Sequence, residues 1–346
     1  MNDQQQTAEA LPLRRRDVGG GVGFTVYAGV MTLVGFVVEP LTRRLGRRRV
    51  PWFFLLPNMA FFAVFHLLPI GLLLYYSFSS GASIFADQRR LVGLDNFEAT
   101  LSCKDYLNPS SCQTDLFWRG VWNTVGYIAF EVVAIMVLAL ITALVLNQSI
   151  RGRGFFRSIF FYPVLLSPVI VALIWQWILQ DQGLLNAMLQ SMDLPTVNWL
   201  SDRGWSRFFI IAASVWSNFG FYTLILLAGL QGINPELYDA ARVDSANSWQ
   251  RFRDITMPLL RPSLLIAFML AFIRAVQVFD LPFVLTGGGP GTQNLFIVQY
   301  IYQVGFASTV RNYGMAATAS VFLALVLIVT SYVQMRVDRK MSEKAQ

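Results

Sequence analysis

Metal-binding and catalytic side chains are scarce in this 346-residue sequence. It contains one histidine, His66, and two cysteines, Cys103 and Cys112. His66 lies in an apolar run without a second ligand nearby, so we interpret it as a structural residue. One histidine and two close cysteines do not supply the ligands of a zinc site, and no HExxH-type cluster is present. The composition therefore argues against a metal site and against a membrane-embedded enzyme.

Charged residues are also few, at 14% of the sequence, where a soluble domain carries about a quarter. Hydrophobic residues reach 55%. This balance indicates a surface that largely faces lipid, where a charged side chain is costly. The formal net charge of +7 is typical of the basic cytoplasmic loops of membrane proteins. We therefore expect membrane lipid as a partner and no binding to nucleic acid.

Six apolar runs are long enough to cross the roughly 30 Å of bilayer hydrocarbon as helices. These runs are Trp52–Phe78, Val121–Asn147, Ser158–Leu179, Phe208–Gln231, Ser263–Thr286 and Tyr313–Met335. A seventh run, Val18–Val38, begins with three glycines and either spans the membrane or lies in its interface; we favour a seventh span. The sequence thus predicts an all-α integral membrane protein with six core spans and an additional N-terminal hydrophobic helix.

Basic residues are distributed unequally between the two sides of these spans. One set of loops, together with the C-terminal tail, carries sixteen Lys and Arg residues, and the opposite set carries seven. The positive-inside rule places the richer set, and the C-terminus, in the cytoplasm. Residues 1–50 then form a tail with a basic cytoplasmic stretch, and residues 51–346 form the membrane domain.

The membrane domain has two long loops, an outer loop at 79–119 and a cytoplasmic loop at 232–262. Cys103 and Cys112 fall in the outer loop, where a disulfide can form. A disulfide and two free thiols are both compatible with the sequence.

The cytoplasmic loop has a pattern of its own, ELYDAARVDSANSWQRFRDITMPLLRPSL, over Glu236–Leu264. Pro235 suits the first turn of a helix, and apolar residues then recur at near-helical spacing. Polar residues at 245–248 interrupt the pattern, and Trp249–Ile255 predicts a second short helix that ends before Pro258. Two short amphipathic helices suit docking into a groove of a soluble partner, whereas composition alone favours a helix that lies on the membrane surface.

This loop resembles the EAA coupling loop of ATP-binding-cassette (ABC) importer permeases. That pattern reads Glu-Ala-Ala, three residues, Gly, nine residues, then Ile-x-Leu-Pro. The present sequence has Asp239-Ala240-Ala241, then Ser245, then Ile255-Thr256-Met257-Pro258, at the same spacing. If the usual glycine requires a positive φ, the serine at 245 must be strained or the turn must differ.

Further motifs extend the resemblance from Arg49 to the C-terminus, where the chain is similar to the larger subunit of maltose-type carbohydrate permeases. They are Val92–Phe97, Asn123-Thr124, Ile150–Arg157, Ser167-Pro168, Leu227–Ile233 and Val278–Gly291. The resemblance implies a type I ABC importer transmembrane domain in a prokaryotic cytoplasmic membrane. It also implies a second homologous permease subunit, two cytoplasmic ATPase subunits, an extracytoplasmic solute-binding protein, and a sugar or oligosaccharide as substrate.

The sequence lacks a GxxxxGK[ST] phosphate loop, so we expect the chain to bind no cofactor and the ATPase subunits to use ATP and Mg²⁺. By the resemblance, residues 236–258 transmit ATPase motion. The coupling residues are Asp239, Ala240, Ala241, Arg242, Asp244, Ser245 and Pro258. We expect the two alanines to pack into a groove of the partner, with Asp239 and Arg242 at its rim.

Polar groups inside the apolar runs mark a candidate solute path, because such groups are costly in lipid. In one run they are Ser214, Ser217 and Asn218, followed by Phe221 and Tyr222. Ser214, Asn218 and Phe221 share a helical face, and the resemblance implies that this face contacts the substrate. Aromatic faces with neighbouring amides suit sugar rings and their hydroxyl groups.

The next run adds Arg274, Gln277 and Asp280, which we expect along one helical face. Arg274 is either a substrate ligand or an ion-pair partner of Asp280 or Glu131, and we interpret Glu131 as a helix-packing residue. An arginine in the path also suits an anionic solute such as a sugar phosphate or glycerol phosphate, so the charge of the substrate stays open. A secondary transporter can use such carboxylates for ion coupling, but it leaves the long cytoplasmic loop unexplained.

Overall fold

The computed structural model describes residues 50–148 and 151–345. The predicted hydrophobic segment 18–38 and the basic stretch before residue 50 lie outside the described residues. Two units are distinguished, one up to Ile70 and one from Gly71 onward. In the described part the chain is mostly helical, with one two-stranded antiparallel hairpin.

The elements of the first half are α1 (Val50–Phe62), a π turn (Ala63–Leu67), α2 (Leu68–Ser77), β1 (Ser79–Ser80), a 3₁₀ turn (Ala86–Gln88), β2 (Arg90–Leu91), α3 (Asp95–Leu101), a 3₁₀ turn (Pro109–Ser111) and α4 (Asp115–Asn147). They continue as α5 (Arg153–Phe161), a 3₁₀ turn (Tyr162–Leu165), α6 (Pro168–Leu179) and α7 (Leu184–Ser191). His66 lies in the first π turn, where its ring stacks on Phe62 with the centroids 4.8 Å apart.

The second half comprises α8 (Arg203–Gln231), α9 (Pro235–Val243), α10 (Ser248–Arg251), a π turn (Phe252–Thr256), α11 (Met257–Val276), α12 (Asp280–Thr286), α13 (Ile297–Tyr302), a π turn (Gln303–Ala307) and α14 (Tyr313–Ala345). Among the described residues, five helices are long and apolar enough to cross a membrane, and a bent pair raises the number to six. The prediction of six core spans is therefore confirmed when the bent pair counts as one.

The bent pair corrects the predicted unbroken span Ser158–Leu179. The chain turns by 98° between the two arms of this segment, Arg153–Leu165 and Pro168–Ser191. Pro163 lies in the 3₁₀ turn that ends the first arm, and Ser167 caps α6 by accepting a hydrogen bond from the amide of Val169 at 3.3 Å. Two prolines within six residues remove backbone donors and crowd the preceding carbonyls, so one straight helix cannot form.

The predicted span Ser263–Thr286 is also wrong as an unbroken helix. It divides into α11 and α12, with residues 277–279 outside both helices. Pro282 lies at the third position of α12, where its ring would clash with the carbonyl of Val278 in a continuous helix. The resulting break lies beside the candidate solute path.

The core forms where α4 packs against α8, with α11, α12 and α6 around them. Tyr127, Ala139 and Ala143 of α4 and Leu226 of α8 are fully buried in it. Small residues allow such membrane helices to approach closely. At Gly220 the approach is closest, since a Cβ there would overlap the carbonyl oxygen of Phe160.

A buried arginine organises the outer loop. The guanidinium of Arg89 donates to the side chain and carbonyl of Ser79 and to the carbonyls of Gly81 and Ser83, at 2.7–3.2 Å. It also stacks 4.6 Å from the ring centroid of Tyr76. These bonds fix the hairpin over the end of α2.

Further along the outer loop, Cys103 and Cys112 are joined by a disulfide. Of the two arrangements left open by the sequence, the structure therefore has the bonded one.

Candidate functional site

A cavity of about 440 Å³ opens among the membrane helices. Its wall is formed by α4, α8 and the breaks at α5–α6 and α11–α12. Seven of the eight residues predicted for the solute path line it: Ser214, Ser217, Asn218, Tyr222, Arg274, Gln277 and Asp280. Phe221, the eighth, does not.

The polar residues of α8 are linked to one another. The amide of Asn218 donates to the Ser214 carbonyl at 2.9 Å and to the Ser217 hydroxyl at 3.0 Å. These bonds hold the amide nitrogen against α8. The Asn218 carbonyl oxygen then remains for a partner in the cavity, where Arg274 approaches it at 3.4 Å.

Arg274 is held without a carboxylate. Its guanidinium lies 5.3 Å from the ring centroid of Phe221, a cation–π arrangement. Phe221 thus supports the arginine from outside the cavity lining. Within residues 50–148 and 151–345 no salt bridge joins Arg274 to Asp280 or Glu131, so the ion-pair interpretation is wrong.

Gln277 and Asp280 reach the cavity by a different route from the predicted one. Gln277 follows the last residue of α11, and Asp280 begins α12. The break, rather than one continuing helical face, brings them beside Arg274.

Glu131, which the sequence interpretation gave as a helix-packing residue, links α4 to α8 and also lines the cavity. It lies at the midpoint of α4, about 24 Å from either end at 1.5 Å per residue. Its side chain is buried, and its Oε1 accepts a hydrogen bond from the hydroxyl of Ser214. The sequence signal for this contact was a polar residue near the middle of each of the two spans α4 and α8.

The cytoplasmic loop contains a helix with a defined start and end. Asn234 caps α9 by accepting from the amide of Glu236 at 3.0 Å. At the other end, the amides of Ser245 and Ala246 donate to the carbonyls of Arg242 and Ala241, at 3.1 and 2.9 Å. These two bonds form a Schellman motif, whose left-handed position is usually glycine. Ser245 occupies it with φ +59°.

The second short helix does not end before Pro258, as the sequence predicted. Helix α10 continues through the π turn into α11 as one candidate span, Ser248–Val276. The amide of Met257 donates to the carbonyl of Phe252, five residues earlier. This wider turn accommodates the ring and the missing donor of Pro258.

Four of the seven predicted coupling residues, Asp239 to Arg242, lie on α9; Asp244 and Ser245 follow its end, and Pro258 lies in α11. Asp239 and Arg242 form an ion pair at 3.2 Å with both side chains about two-thirds exposed. Ala240, Asp244 and Ser245 are exposed and Ala241 is half-buried. Three large apolar side chains outside the predicted coupling set are also exposed on this loop: Leu237, Val243 and Trp249.

Tyr238 connects this loop to the membrane helices. Its hydroxyl lies 3.0 Å from Oγ1 of Thr256 in the π turn, and its ring packs against the core. Helix α9 is therefore attached directly to the base of α11, whose other end lies beside the cavity.

Comparisons with known proteins agree with this architecture. The family model of the binding-protein-dependent transport system inner membrane component matches residues 135–343. A trehalose/maltose transport system permease protein of Thermococcus litoralis is 33% identical, covering 86% of this chain and 97% of that protein. A sulfoquinovosyl glycerol transport system permease protein of Agrobacterium fabrum is 31% identical, with 85% and 92% covered.

A solved structure has a similar fold. One chain of a bacterial alginate ABC transporter, in complex with an alginate pentasaccharide-bound periplasmic protein, superposes with a TM-score of 0.71. It is 25% identical, and the match covers 87% of this chain and 98% of that one. The fold is thus that of an ABC importer permease, a multi-pass inner membrane protein. The chain belongs to the family of binding-protein-dependent transport system inner membrane components.

Proposed function

We propose that this chain is a non-catalytic permease subunit of an ATP-driven importer for a sugar or oligosaccharide. The observation that carries the proposal is the mid-membrane cavity. Its lining alternates amide, hydroxyl and charged groups with the aromatic rings of Tyr127, Tyr222 and Phe279. Such a wall matches a solute with many hydroxyl groups and an apolar ring face. Relatives named for the transport of trehalose, maltose and arabinooligosaccharides support the same class.

The chain works with partners in this account. A second permease subunit completes the pathway, a solute-binding protein delivers the sugar from outside, and two ATPase subunits bind ATP and Mg²⁺ on the cytoplasmic side, where the C-terminus lies. The ATPases dock on α9 with Ala240 and Ala241 in a groove. Exposed Val243 and Trp249 add apolar area to that contact. Closure of the ATPases then moves α9, and through Tyr238 and Thr256 it moves α11.

The test is the ATPase rate of the reconstituted complex with its binding protein, measured in the presence of trehalose, maltose, lactose or arabino-oligosaccharides in turn. We expect one of these sugars to stimulate hydrolysis. Asn218→Ala should reduce sugar uptake while leaving basal hydrolysis unchanged. Stimulation by a sugar phosphate and by none of the sugars would contradict the assignment and make Arg274 the principal ligand.

A further inference from the structure

Two polar atoms in the cavity wall have no hydrogen-bonding partner within the described structure. They are Oε2 of Glu131 and the hydroxyl of Tyr127, one helical turn apart on α4. Glu131 is 5% exposed and Tyr127 is 0% exposed, and both line the cavity. Neither atom makes a hydrogen bond within the described structure, so this corner offers buried hydrogen-bonding capacity to a solute that enters the cavity.

Ser214 sets the orientation of the carboxylate. Its hydroxyl donates to Oε1 of Glu131, which leaves Oε2 as the oxygen available to a solute. The Tyr127 hydroxyl beside it can donate and accept. A carboxylate oxygen next to a hydroxyl is the complement of two neighbouring hydroxyl groups on a sugar ring.

The charges of the cavity add a second constraint. Arg274 is engaged by Phe221 and Asn218 and leaves Glu131 unpaired. Asp280 contributes a second carboxylate to the lining. The acidic groups are at least as many as the single guanidinium, so the lining offers no surplus of positive charge to an anionic solute.

We infer that Glu131 is a specificity-determining residue that accepts a hydrogen bond from a solute hydroxyl and selects an uncharged sugar over its phosphate. The inference rests on the proposed import of a sugar and names the contact that recognises it. Tyr127 completes the contact from the neighbouring turn, and Ser214 positions the carboxylate.

The experiment uses the complete transporter in proteoliposomes with its binding protein and the sugar that the panel above identifies. Uptake of that sugar is compared with uptake of its singly deoxygenated analogues. In the wild type, at least one analogue should lose about tenfold or more in kcat/KM, as expected when a buried polar group loses its hydrogen-bonding partner. Glu131→Gln should lose a similar factor for the parent sugar and no longer discriminate against that analogue.

Two comparisons separate recognition from folding and from the binding protein. Wild type and variant share one binding protein, so a change in the analogue pattern reports on the permease. Glu98→Gln, the same substitution at an exposed position of α3, should leave uptake and pattern unchanged. If Glu131→Gln fails to assemble with the ATPase subunits, Tyr127→Phe serves for the same analogue series.

Competition between a sugar and its phosphate supplies a second readout. With the sugar that the panel identifies and its monophosphate, the wild type should prefer the uncharged sugar, and Glu131→Gln should reduce that preference. An assembled variant that keeps the wild-type analogue pattern and preference overturns the inference and leaves sugar import standing. If the wild type imports no sugar in the panel, the proposed function fails and the inference fails with it.

Discussion

At the scale of single residues, Ser245 shows how local geometry constrains the coupling loop. It is one of two non-glycine residues with positive φ in the described part of the chain, the other being Asp193. A side chain in this left-handed conformation costs roughly 1–2 kcal/mol. The Schellman bonds of α9 hold Ser245 there, so the turn keeps its form and the serine carries the strain.

Ser245→Gly should therefore stabilise the end of α9 by about 1 kcal/mol. Hydrogen exchange at the amides of Ser245 and Ala246 measures it, with slower exchange in the variant. Ser248→Gly is the matched control, because Ser248 lies in a helical turn where glycine is unfavourable. Equal or faster exchange in Ser245→Gly would mean that the serine is not strained.

Two arginines within membrane-spanning helices have different roles. Arg207, in α8, donates to Oδ1 of Asn123 in α4 at 2.6 Å and to the carbonyl of Gln293. These bonds hold the segment around Gln293 against α4 and α8. Arg274 instead faces the cavity.

Arg207→Gln should lower the stability of the purified chain by about 2 kcal/mol, as for lost hydrogen bonds to a charged group. Arg274→Gln should change uptake with little effect on stability. Thermal unfolding in detergent measures the stability of the two variants, and an uptake assay measures their transport. The account is contradicted if Arg274→Gln is the more destabilising of the two.

At the scale of elements, the close approach of α8 to the end of α5 depends on Gly220. A side chain there meets the backbone at Phe160, which cannot move aside as a flexible side chain can. Gly220→Ala should destabilise the fold by about 1–3 kcal/mol through overpacking. Gly126→Ala in α4, where an added Cβ meets nothing within 4 Å, should be neutral or stabilising. Similar unfolding temperatures for the two variants would refute this packing.

The sequence predicted the helices better than their breaks. Apolar run length was enough to identify the six spans, because lipid imposes a minimum length on every crossing helix. It could not separate α5 from α6 or α11 from α12, since hydrophobicity is continuous across both breaks. Pro163, Pro168 and Pro282 were the available signals, and each was read as part of a span.

The candidate site was likewise predicted in part: its residues were found, but their orientation was not. Intramembrane polar residues were a reliable guide to the cavity lining, because lipid penalises them elsewhere. The direction in which Glu131 points depends on its rotation relative to α8, which no pattern within α4 determines. The support of Arg274 by Phe221 likewise required the packing of α11 on α8.

At the scale of the whole molecule, the account joins two sites on one chain. The cavity holds polar groups half-way through the membrane, and α9 presents an exposed surface for a soluble partner. The link between them is physical, through Tyr238, Thr256 and the continuous helix from Ser248 to Val276. We expect the ATPase subunits to supply the energy, so only the assembled complex should transport the solute.

The central claim is that ATP-driven sugar uptake requires this chain, its partners and an intact coupling loop. The most direct measurement is uptake of a radiolabelled sugar into proteoliposomes by the complete complex, by the complex carrying Ala241→Asp, and by this chain alone. We predict ATP-dependent uptake in the first and none in the third. Ala241→Asp should abolish uptake by uncoupling or releasing the ATPases. ATP-dependent uptake by the isolated chain, or unchanged uptake in Ala241→Asp, would contradict the account.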